Sequence, residues 1–317
     1  MRKAYVYKAY GLLFSSELAI PELPEAEGTP DVFVKIGTVP SSLCCSGRSK
    51  LAFQAAPQEF LLRLKNIARF YVSEGREITV ELQAGGKDKD VRLYLLGSVF
   101  GALLQQRGYL VLHGSSIEIN GDGVLFAGES GIGKSTLAAG FQNRGYRILT
   151  DDVSAIDIDQ EGIPYVLPGF PSLKLWKDAA ERLGADVSGL SAVRTNVDKY
   201  RVDLEASFCN QAVRLQNVFI LEKDSRSEIR IDEIEGPDKV ESLISNTYRY
   251  HFLKGQGIKP VHFQQCVCVA NQAVFYRVTR PQAGFMLDQL VSAIEDRIQT
   301  NQPVDRHIRA TGMETIS

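Results

Sequence analysis

Residues 123–141, GVLFAGESGIGKSTLAAGF, carry the most informative pattern in the chain. An apolar run leads into a glycine-rich turn, and a lysine, two hydroxyl residues and a second apolar run follow. The turn fits G-x-x-x-x-G-K-[ST], with Gly128, Gly133, Lys134 and Ser135 in the defining places. Because the flanking runs read as a strand and a helix, we interpret the turn as a phosphate-binding loop rather than a chance glycine turn.

The residue types of the loop indicate what it would bind. Glycines let backbone N–H groups turn inward around phosphate oxygens, and the positive end of the following helix points at the same anion. Lys134 is expected to reach the β- and γ-phosphates, and the Ser135 hydroxyl is expected to ligate Mg²⁺. The loop therefore predicts a nucleoside triphosphate with Mg²⁺, and the pattern alone does not choose between a kinase, an ATPase and a GTPase. The predicted phosphate-binding residues are Gly128, Glu129, Ser130, Gly131, Ile132, Gly133, Lys134, Ser135 and Thr136.

Two adjacent carboxylates follow the loop helix, at the end of the apolar run RILT. Asp151 and Asp152 would be costly there unless they are solvated or bound to cations. Phosphoryl transfer uses one carboxylate to hold Mg²⁺ and another to accept the proton of the attacking hydroxyl. If this strand returns alongside the strand before the loop, both carboxylates reach the phosphates. A solvated acidic turn or a helix cap is the alternative.

The stretch from Leu112 to Ile156, LHGSSIEINGDGVLFAGESGIGKSTLAAGFQNRGYRILTDDVSAI, resembles the catalytic core of the HPr kinase/phosphorylase family. That resemblance implies an α/β (α+β) chain with a P-loop domain of the HPr kinase/phosphoenolpyruvate carboxykinase type, built on a mixed sheet. It implies that Asp151 is the general base, that Asp152 lies near the metal with Ser135, and that His113 is a catalytic histidine beside them. From the pattern alone, His113 is more typical of a core residue.

The chain departs from that family at several points. Glu129 stands where the family usually has Asp, LPGFPSLKLW replaces the signature EIRGLG, and the C-terminal basic segment linked to the phosphorylase direction is missing. These departures disfavour phosphorolysis. Three stretches instead resemble the HPr kinase-related proteins found beside lasso-peptide biosynthesis enzymes: YLLGSVFGALLQQRGYLVLHGSS (94–116), LPGFPSLKLWKDA (167–179) and NTYRY (246–250).

The second resemblance implies an ATP- and Mg²⁺-dependent serine O-kinase that phosphorylates a precursor peptide at a C-terminal serine. The alternatives are a kinase of free serine or of an HPr-like carrier protein, and a nucleotide-binding regulatory protein that transfers no phosphate. Lys199 and Arg201, in the cationic run DKYRVDL, are expected to contact the γ-phosphate or a substrate carboxylate, with a solvated strand face as the alternative. The family resemblance also implies a homo-oligomer.

Composition and charge exclude several classes of partner. The formal net charge is -2 and no Lys/Arg run is present, so we expect no nucleic-acid partner. No uncharged apolar run approaches the roughly 18 residues that span a bilayer, and Lys8 interrupts the apolar residues near the N-terminus, unlike a signal peptide. We therefore expect a soluble, cytoplasmic protein without a membrane partner.

The length of 317 residues favours two domains. Short β-branched or aromatic runs predict a β-rich N-terminal domain over 1–87, followed by the P-loop kinase domain over 88–300 and a polar tail over 301–317. Residues 88–107 read as one helix, apolar on more than one face and therefore buried between the two halves. The Asn-Gly pair at 120–121 predicts a hairpin, which gives the strand before the loop an antiparallel neighbour.

Overall fold

The N-terminal half of the chain forms a seven-stranded sheet. A computed structural model describes residues 4–43, 52–183, 192–194, 197–224, 228–281 and 286–300. The first seven strands are β1 (Tyr5–Ala9), β2 (Leu12–Ser16), β3 (Val32–Ile36), β4 (Phe53–Ala56), β5 (Glu59–Leu64), β6 (Ala68–Ser73) and β7 (Glu77–Leu82). They lie in the order β1-β2-β3-β7-β6-β5-β4. Buried and half-buried residues alternate along β6, as in a sheet with one face on a core. The predicted β-rich character of this half is confirmed.

A helical run separates this sheet from the rest of the chain. It consists of α1 (Asp88–Tyr94), a π turn (Leu95–Val99) and α2 (Phe100–Gln106), where the sequence predicted one uninterrupted helix. Every residue from Leu95 to Gln106 is buried. The Phe100 ring stacks on Phe14 of the first sheet at 4.7 Å between centroids, and one core cluster contains residues of the sheet, the helix and the second half. The helix therefore lies between the two halves, as predicted.

The second half is built on a mixed sheet and a small antiparallel one. Its strands are β8 (Leu110–Leu112), β9 (Gly114–Ile119), β10 (Asp122–Gly128), β11 (Arg147–Thr150), β12 (Ser154–Ile158), β13 (Pro164–Val166), β14 (Ser172–Trp176), β15 (Ala192–Arg194), β16 (Val197–Asp203), β17 (Val213–Asp224), β18 (Arg230–Ile234) and β19 (Val274–Pro281). In the mixed sheet β17 is parallel to both β10 and β19. Strands β14, β16 and β15 form the small sheet. The predicted mixed sheet is thus observed.

The hairpin before the phosphate loop is confirmed. Strand β9 is antiparallel to β10, with Ile119 opposite Asp122. The two residues between them, Asn120 and Gly121, have φ values of 54° and 85°. Positive φ at both central positions is what a tight two-residue hairpin turn requires, and Asn and Gly adopt it readily. The local sequence therefore determines the antiparallel neighbour of the loop strand.

The strand that ends at the paired aspartates was predicted to lie beside β10. That prediction is wrong. The strand is β11, and it is antiparallel to β9, which separates it from β10. The physical reason is the hairpin, because β9 already occupies that edge of β10. Since β9 is antiparallel to both neighbours, β11 and β10 still run in the same direction. Their carboxyl ends therefore meet at one edge of the sheet.

Helices cover both faces of the mixed sheet. They are α3 (Lys134–Asn143), α4 (Lys177–Arg182), α5 (Pro237–Ser245), α6 (His251–Gln256), α7 (Lys259–Gln272) and α8 (Leu287–Thr300). Helices α3 and α8 share one core cluster with the small sheet, and α5 and α7 share another. The predicted tail over 301–317 lies outside the described residues. None of the helices in the described ranges is long and apolar enough to cross a membrane.

Candidate active site

The phosphate loop connects β10 to α3 as the sequence predicts. Gly128, Gly131 and Gly133 have φ values of 142°, 82° and 108°, a region that favours glycine. A Cβ atom on Gly128 would lie 2.7 Å from the carbonyl oxygen of Leu221, so a side chain would collide with β17. The backbone is therefore specified by the glycines and presents its amides at the start of α3, where anions bind.

Two cations contact the loop. Lys134 donates from Nζ to the carbonyl oxygens of Gly128 at 2.8 Å and Glu129 at 2.9 Å, and it is buried. Arg280, at the end of β19, donates to the carbonyl oxygen of Ile132 at 2.7 Å. Lys134 was predicted from the motif. Arg280 was not, because it comes from a strand 148 residues further along the chain.

Asp151 is buried and fully engaged by hydrogen bonds. Its Oδ1 accepts from the Ser115 hydroxyl at 2.6 Å and from the Ser135 hydroxyl at 2.7 Å. Its Oδ2 accepts from the backbone N–H of Lys174 at 2.9 Å. The residue is only 6% exposed. Asp151 therefore orients the loop hydroxyl that was predicted to ligate Mg²⁺.

Asp152 has a different environment, although it is the next residue. Its φ is 73°, a left-handed conformation that Asp tolerates better than most residues. Its Oδ2 forms an ion pair with Lys174 Nζ at 3.0 Å, and 28% of its side chain is exposed. Asp152 lines the cavities beside the phosphate loop. Of the two adjacent carboxylates, it is the one that a substrate can reach.

His113 lies at the break between β8 and β9, beside Asp152. Its Nδ1 is 3.1 Å from the backbone oxygen of Asp152 and 3.4 Å from Oδ1. Burial, and then the positive charge of Lys134, lower the pKa of His113 despite the opposing charge of Asp152. A carbonyl oxygen can only accept a hydrogen bond, so the neutral ring carries its proton on Nδ1 and keeps Nε2 as an acceptor.

Lys174, on β14, contacts both aspartates and was missed by the sequence analysis. Burial alone would lower its pKa, but the charges of Asp152 and Asp151 outweigh that effect and raise it above the ordinary value. The side chain is 9% exposed. A lysine flanked by Leu173 and Leu175 in a buried strand was the available signal, because a buried cation needs a partner.

Two clefts meet at His113 and Asp152. The larger cleft has a volume of about 1110 Å³ and lies between loop residues 128–132 and segment 246–251. The smaller cleft has a volume of about 480 Å³ and contains the start of α3, Lys174 and apolar residues of α8. Because both clefts contain the same histidine and aspartate, molecules bound in each would meet there.

Of the two cations predicted in the run DKYRVDL to contact phosphate or substrate, only Arg201 has a described side chain, and it lies away from the loop. Arg201 pairs with the buried Glu22 of the N-terminal half at 2.8 Å and lines neither cleft. Glu22 also pairs with Arg92 at 2.8 Å. The side chain of Lys199 lies outside the described residues, and only its backbone position opposite Trp176 is given. Arg201 thus joins the two halves of the chain instead of facing the loop.

Residues 106–166 match the family model described as HPr Serine kinase C-terminal domain. The matched segment contains the histidine, the phosphate loop and both aspartates, so the central parts of the site lie within the similarity. The segments that supply Lys174, Arg280 and residues 246–251 lie outside it.

Distant relatives of the chain include HPr kinases. The HPr kinase/phosphorylase of Listeria monocytogenes is 29% identical over 143 residues, which cover 40% of this chain and 45% of the relative. That of Clostridium botulinum is 51% identical over 47 residues, 15% of each chain. The chain thus spans less than half the length of the curated relatives it matches. A solved structure of the Hpr(Ser) kinase/phosphatase from Coxiella burnetii aligns with a TM-score of 0.31 and 14% identity, covering 60% of this chain and 93% of that chain.

The donor set of the site fits Mg²⁺. Ser135 Oγ and Asp151 Oδ1 are hard oxygen ligands only 2.7 Å apart. Mg²⁺ usually takes one or two carboxylates and completes its shell with water and substrate phosphates. Among the described residues, no group of three or more His, Cys, Asp or Glu side chains could hold a metal ion alone. Such a donor set matches an ion shared with a nucleotide.

Proposed function

We propose that this chain is an ATP- and Mg²⁺-dependent serine O-kinase. The observation that carries the proposal is the convergence of a phosphate loop, the accessible carboxylate of Asp152 and the ring of His113 where two clefts meet. The acceptor we propose is the C-terminal serine of a precursor peptide, which the resemblance over 94–116, 167–179 and 246–250 implies. The larger cleft, with a volume of about 1110 Å³, has room for the end of a peptide.

Each protein group has a defined task in the proposed transfer. Loop amides and Lys134 bind the β- and γ-phosphates, and the apolar residues Leu287 and Leu290 of the smaller cleft offer a surface for the purine. The serine oxygen attacks the γ-phosphorus while the bond to the bridging oxygen of ADP breaks. The hydroxyl proton passes to a carboxylate of the site. Mg²⁺, when bound, neutralises developing charge on the phosphoryl oxygens.

The geometry favours exchanging the roles that the resemblance implied for the two aspartates. We propose that Asp152 accepts the proton, because it reaches the clefts. We propose that Asp151 holds Ser135 for the metal, because its oxygens already accept from two hydroxyls and one backbone N–H. A general base must reach the hydroxyl that it deprotonates, and of the two adjacent aspartates Asp152 is the one that lines the two clefts.

The experiment is intact-mass spectrometry of an acceptor panel incubated with the protein, ATP and Mg²⁺. The panel contains a precursor-type peptide ending in serine, the same peptide ending in alanine, free serine, and HPr. We expect a phosphate mass only on the serine-ending peptide. Phosphate on free serine or HPr alone would reassign the acceptor. ATP binding without transfer to any member would favour the nucleotide-binding regulatory protein.

A further inference from the structure

Segment 246–251, which comprises the connection from α5 to α6 and the first residue of α6, forms one wall of the larger cleft. It is fixed beside β8 by backbone hydrogen bonds: His113 N–H donates to Asn246 O at 2.8 Å, and Tyr248 N–H donates to Val111 O at 2.9 Å. The segment therefore continues the sheet edge next to His113. These backbone hydrogen bonds fix the position of its side chains relative to His113.

Tyr248 anchors the segment in the interior. A Cβ atom on Gly101 would lie 2.7 Å from its ring, and the Gln105 side chain donates to its carbonyl oxygen at 2.8 Å. Its ring centroid is 6.0 Å from that of His113. Burial, and then the negative charge of Asp152, raise the pKa of Tyr248, while Arg249 opposes the shift. The phenol thus lies within electrostatic reach of both Asp152 and Arg249.

Arg249 follows this anchor and is exposed in the cleft. Its φ of 51° places an ordinary residue in the left-handed region, which costs energy unless the surroundings enforce it. Its guanidinium lies over the Tyr248 ring, 5.8 Å from the centroid. Within the described ranges no carboxylate lies at ion-pair distance from it. Arg277, in the same cleft, already pairs with Glu222 at 3.1 Å.

We propose that the larger cleft is the acceptor site and that Arg249 binds the carboxylate of the residue being phosphorylated. The inference rests on the proposed kinase function. It assigns to Arg249 the recognition of a C-terminal serine over a serine within a chain. Guanidinium binds carboxylate bidentately, and in a terminal serine the carboxylate is only a few bonds from the hydroxyl. Asp152 and Arg249 line the same cleft, so a terminal serine whose hydroxyl lies at Asp152 has its carboxylate in the cleft that contains Arg249.

Charge and space in the two clefts support this assignment. Lys223 lines both clefts, so it can contact the phosphates of a nucleotide in the smaller cleft. Arg249 lines only the larger of the two clefts. Free serine offers the same carboxylate and hydroxyl, but it would fill a small part of about 1110 Å³. The cleft volume therefore favours the end of a polypeptide over the free amino acid.

The test uses two fluorescein-labelled peptides that end in serine, one with a free carboxylate and one with a terminal amide. Anisotropy gives their affinity for the protein in the presence of a non-hydrolysable ATP analogue, and mass spectrometry gives the transfer rate with ATP. We expect wild-type protein to bind the acid at least tenfold more tightly than the amide. Arg249→Ala should weaken binding of the acid about tenfold to a hundredfold and leave binding of the amide unchanged.

Two further variants sharpen the test. Arg249→Lys keeps the charge but loses the bidentate fork, so its affinity for the acid should be intermediate. Arg277→Ala is the matched control in the same cleft and should keep the preference for the acid. Equal binding of acid and amide by wild-type protein, or an unchanged preference in Arg249→Ala, would overturn the inference.

The outcomes for the site and for the function are separable. A preference for the acid that depends on Arg249, without transfer to any acceptor, contradicts the kinase proposal and keeps the carboxylate site. Transfer to acid and amide with equal KM contradicts the carboxylate site and keeps the kinase. Free serine enters as competitor and as acceptor. If free serine displaces the labelled peptide only when it is in large molar excess over the peptide, the polypeptide end is the ligand. If free serine is the only acceptor that is phosphorylated, the free amino acid is the ligand.

Discussion

Replacing Lys174 with methionine tests whether the site depends on a positioned carboxylate. Lys174 Nζ lies 3.0 Å from Asp152 Oδ2. The backbone N–H of Lys174, which donates to Asp151, is retained when methionine replaces the lysine. Methionine has a similar length and fills the buried space, so Lys174→Met removes the ammonium group and little else.

The energetic effect follows from the distance and the burial. At 3.0 Å and an effective dielectric constant of about 20, the attraction is about 5 kcal/mol, much of it offset by desolvation of the lysine. Removing one partner of a fully buried pair costs roughly 3–5 kcal/mol. Because 28% of the Asp152 side chain is exposed, we expect a smaller loss of about 2 kcal/mol. For a chain of 317 residues, that corresponds to a thermal midpoint about 3 °C lower.

The effect on transfer should appear in kcat. Without the ammonium group, the Asp152 carboxylate can rotate away from the acceptor hydroxyl, and a misplacement of about 1 Å can cost a hundredfold in rate. The dissociation constant for ATP should not change, because the loop amides and Lys134 remain in place. Thermal unfolding followed by circular dichroism gives stability, and single-turnover transfer to the serine-ending peptide gives the rate.

Lys174→Arg is the control, because it keeps a cation at the position and should recover much of the rate. A Lys174→Met protein with a kcat within twofold of wild type would refute the positioning role. Loss of ATP affinity together with kcat would instead indicate that the side chain contacts the nucleotide.

Three further predictions concern the loop, the aspartates and a buried histidine. Lys134→Ala should abolish transfer and weaken ATP binding, measured by calorimetry. Asp152→Asn should lower kcat about a thousandfold and leave the Mg²⁺ concentration for half-maximal rate unchanged. Asp151→Asn should raise that Mg²⁺ concentration. The opposite pattern would restore Asp151 as the base. Burial lowers the pKa of His262 to about 4, so below its unfolded pKa of about 6.5 the unfolded chain binds the extra proton. Urea unfolding should therefore show about 3 kcal/mol of stability lost between about pH 6.5 and pH 4, and His262→Gln should remove that slope.

The parts of the fold that local chemistry determines were predictable. The glycines of the loop specify a backbone that other residues adopt at a cost, and Asn120-Gly121 specifies its hairpin. The buried helix followed from apolar residues on more than one face. Each of these features is determined by residues that are close together in the sequence, so a sequence pattern is sufficient to predict it.

The parts that depend on long-range contacts were not predictable. The position of β11 depends on which edge of β10 is occupied by the hairpin strand β9. The residues of β11 themselves contain no information about this. Lys174 and Arg280 reach the site from separate strands. Segment 246–250 was recognised only as a resemblance, because its chemistry appears when Tyr248 is seen packed against α2. A pair of adjacent aspartates likewise does not show which of them is buried.

The two buried lysines of the site illustrate why contacts, rather than residue type, decide a role. Lys134 donates to two backbone carbonyls of the loop, which carry partial charges, so phosphate oxygens can replace them at little cost. Lys174 faces the full charge of Asp152, and exchanging that partner for a phosphate would break an ion pair at 3.0 Å beside the clefts. Lys134 therefore suits the binding of an anion that arrives and leaves, and Lys174 suits a permanent contact. It follows that loss of Lys134 should appear first in the dissociation constant for ATP, whereas loss of Lys174 should appear in kcat alone.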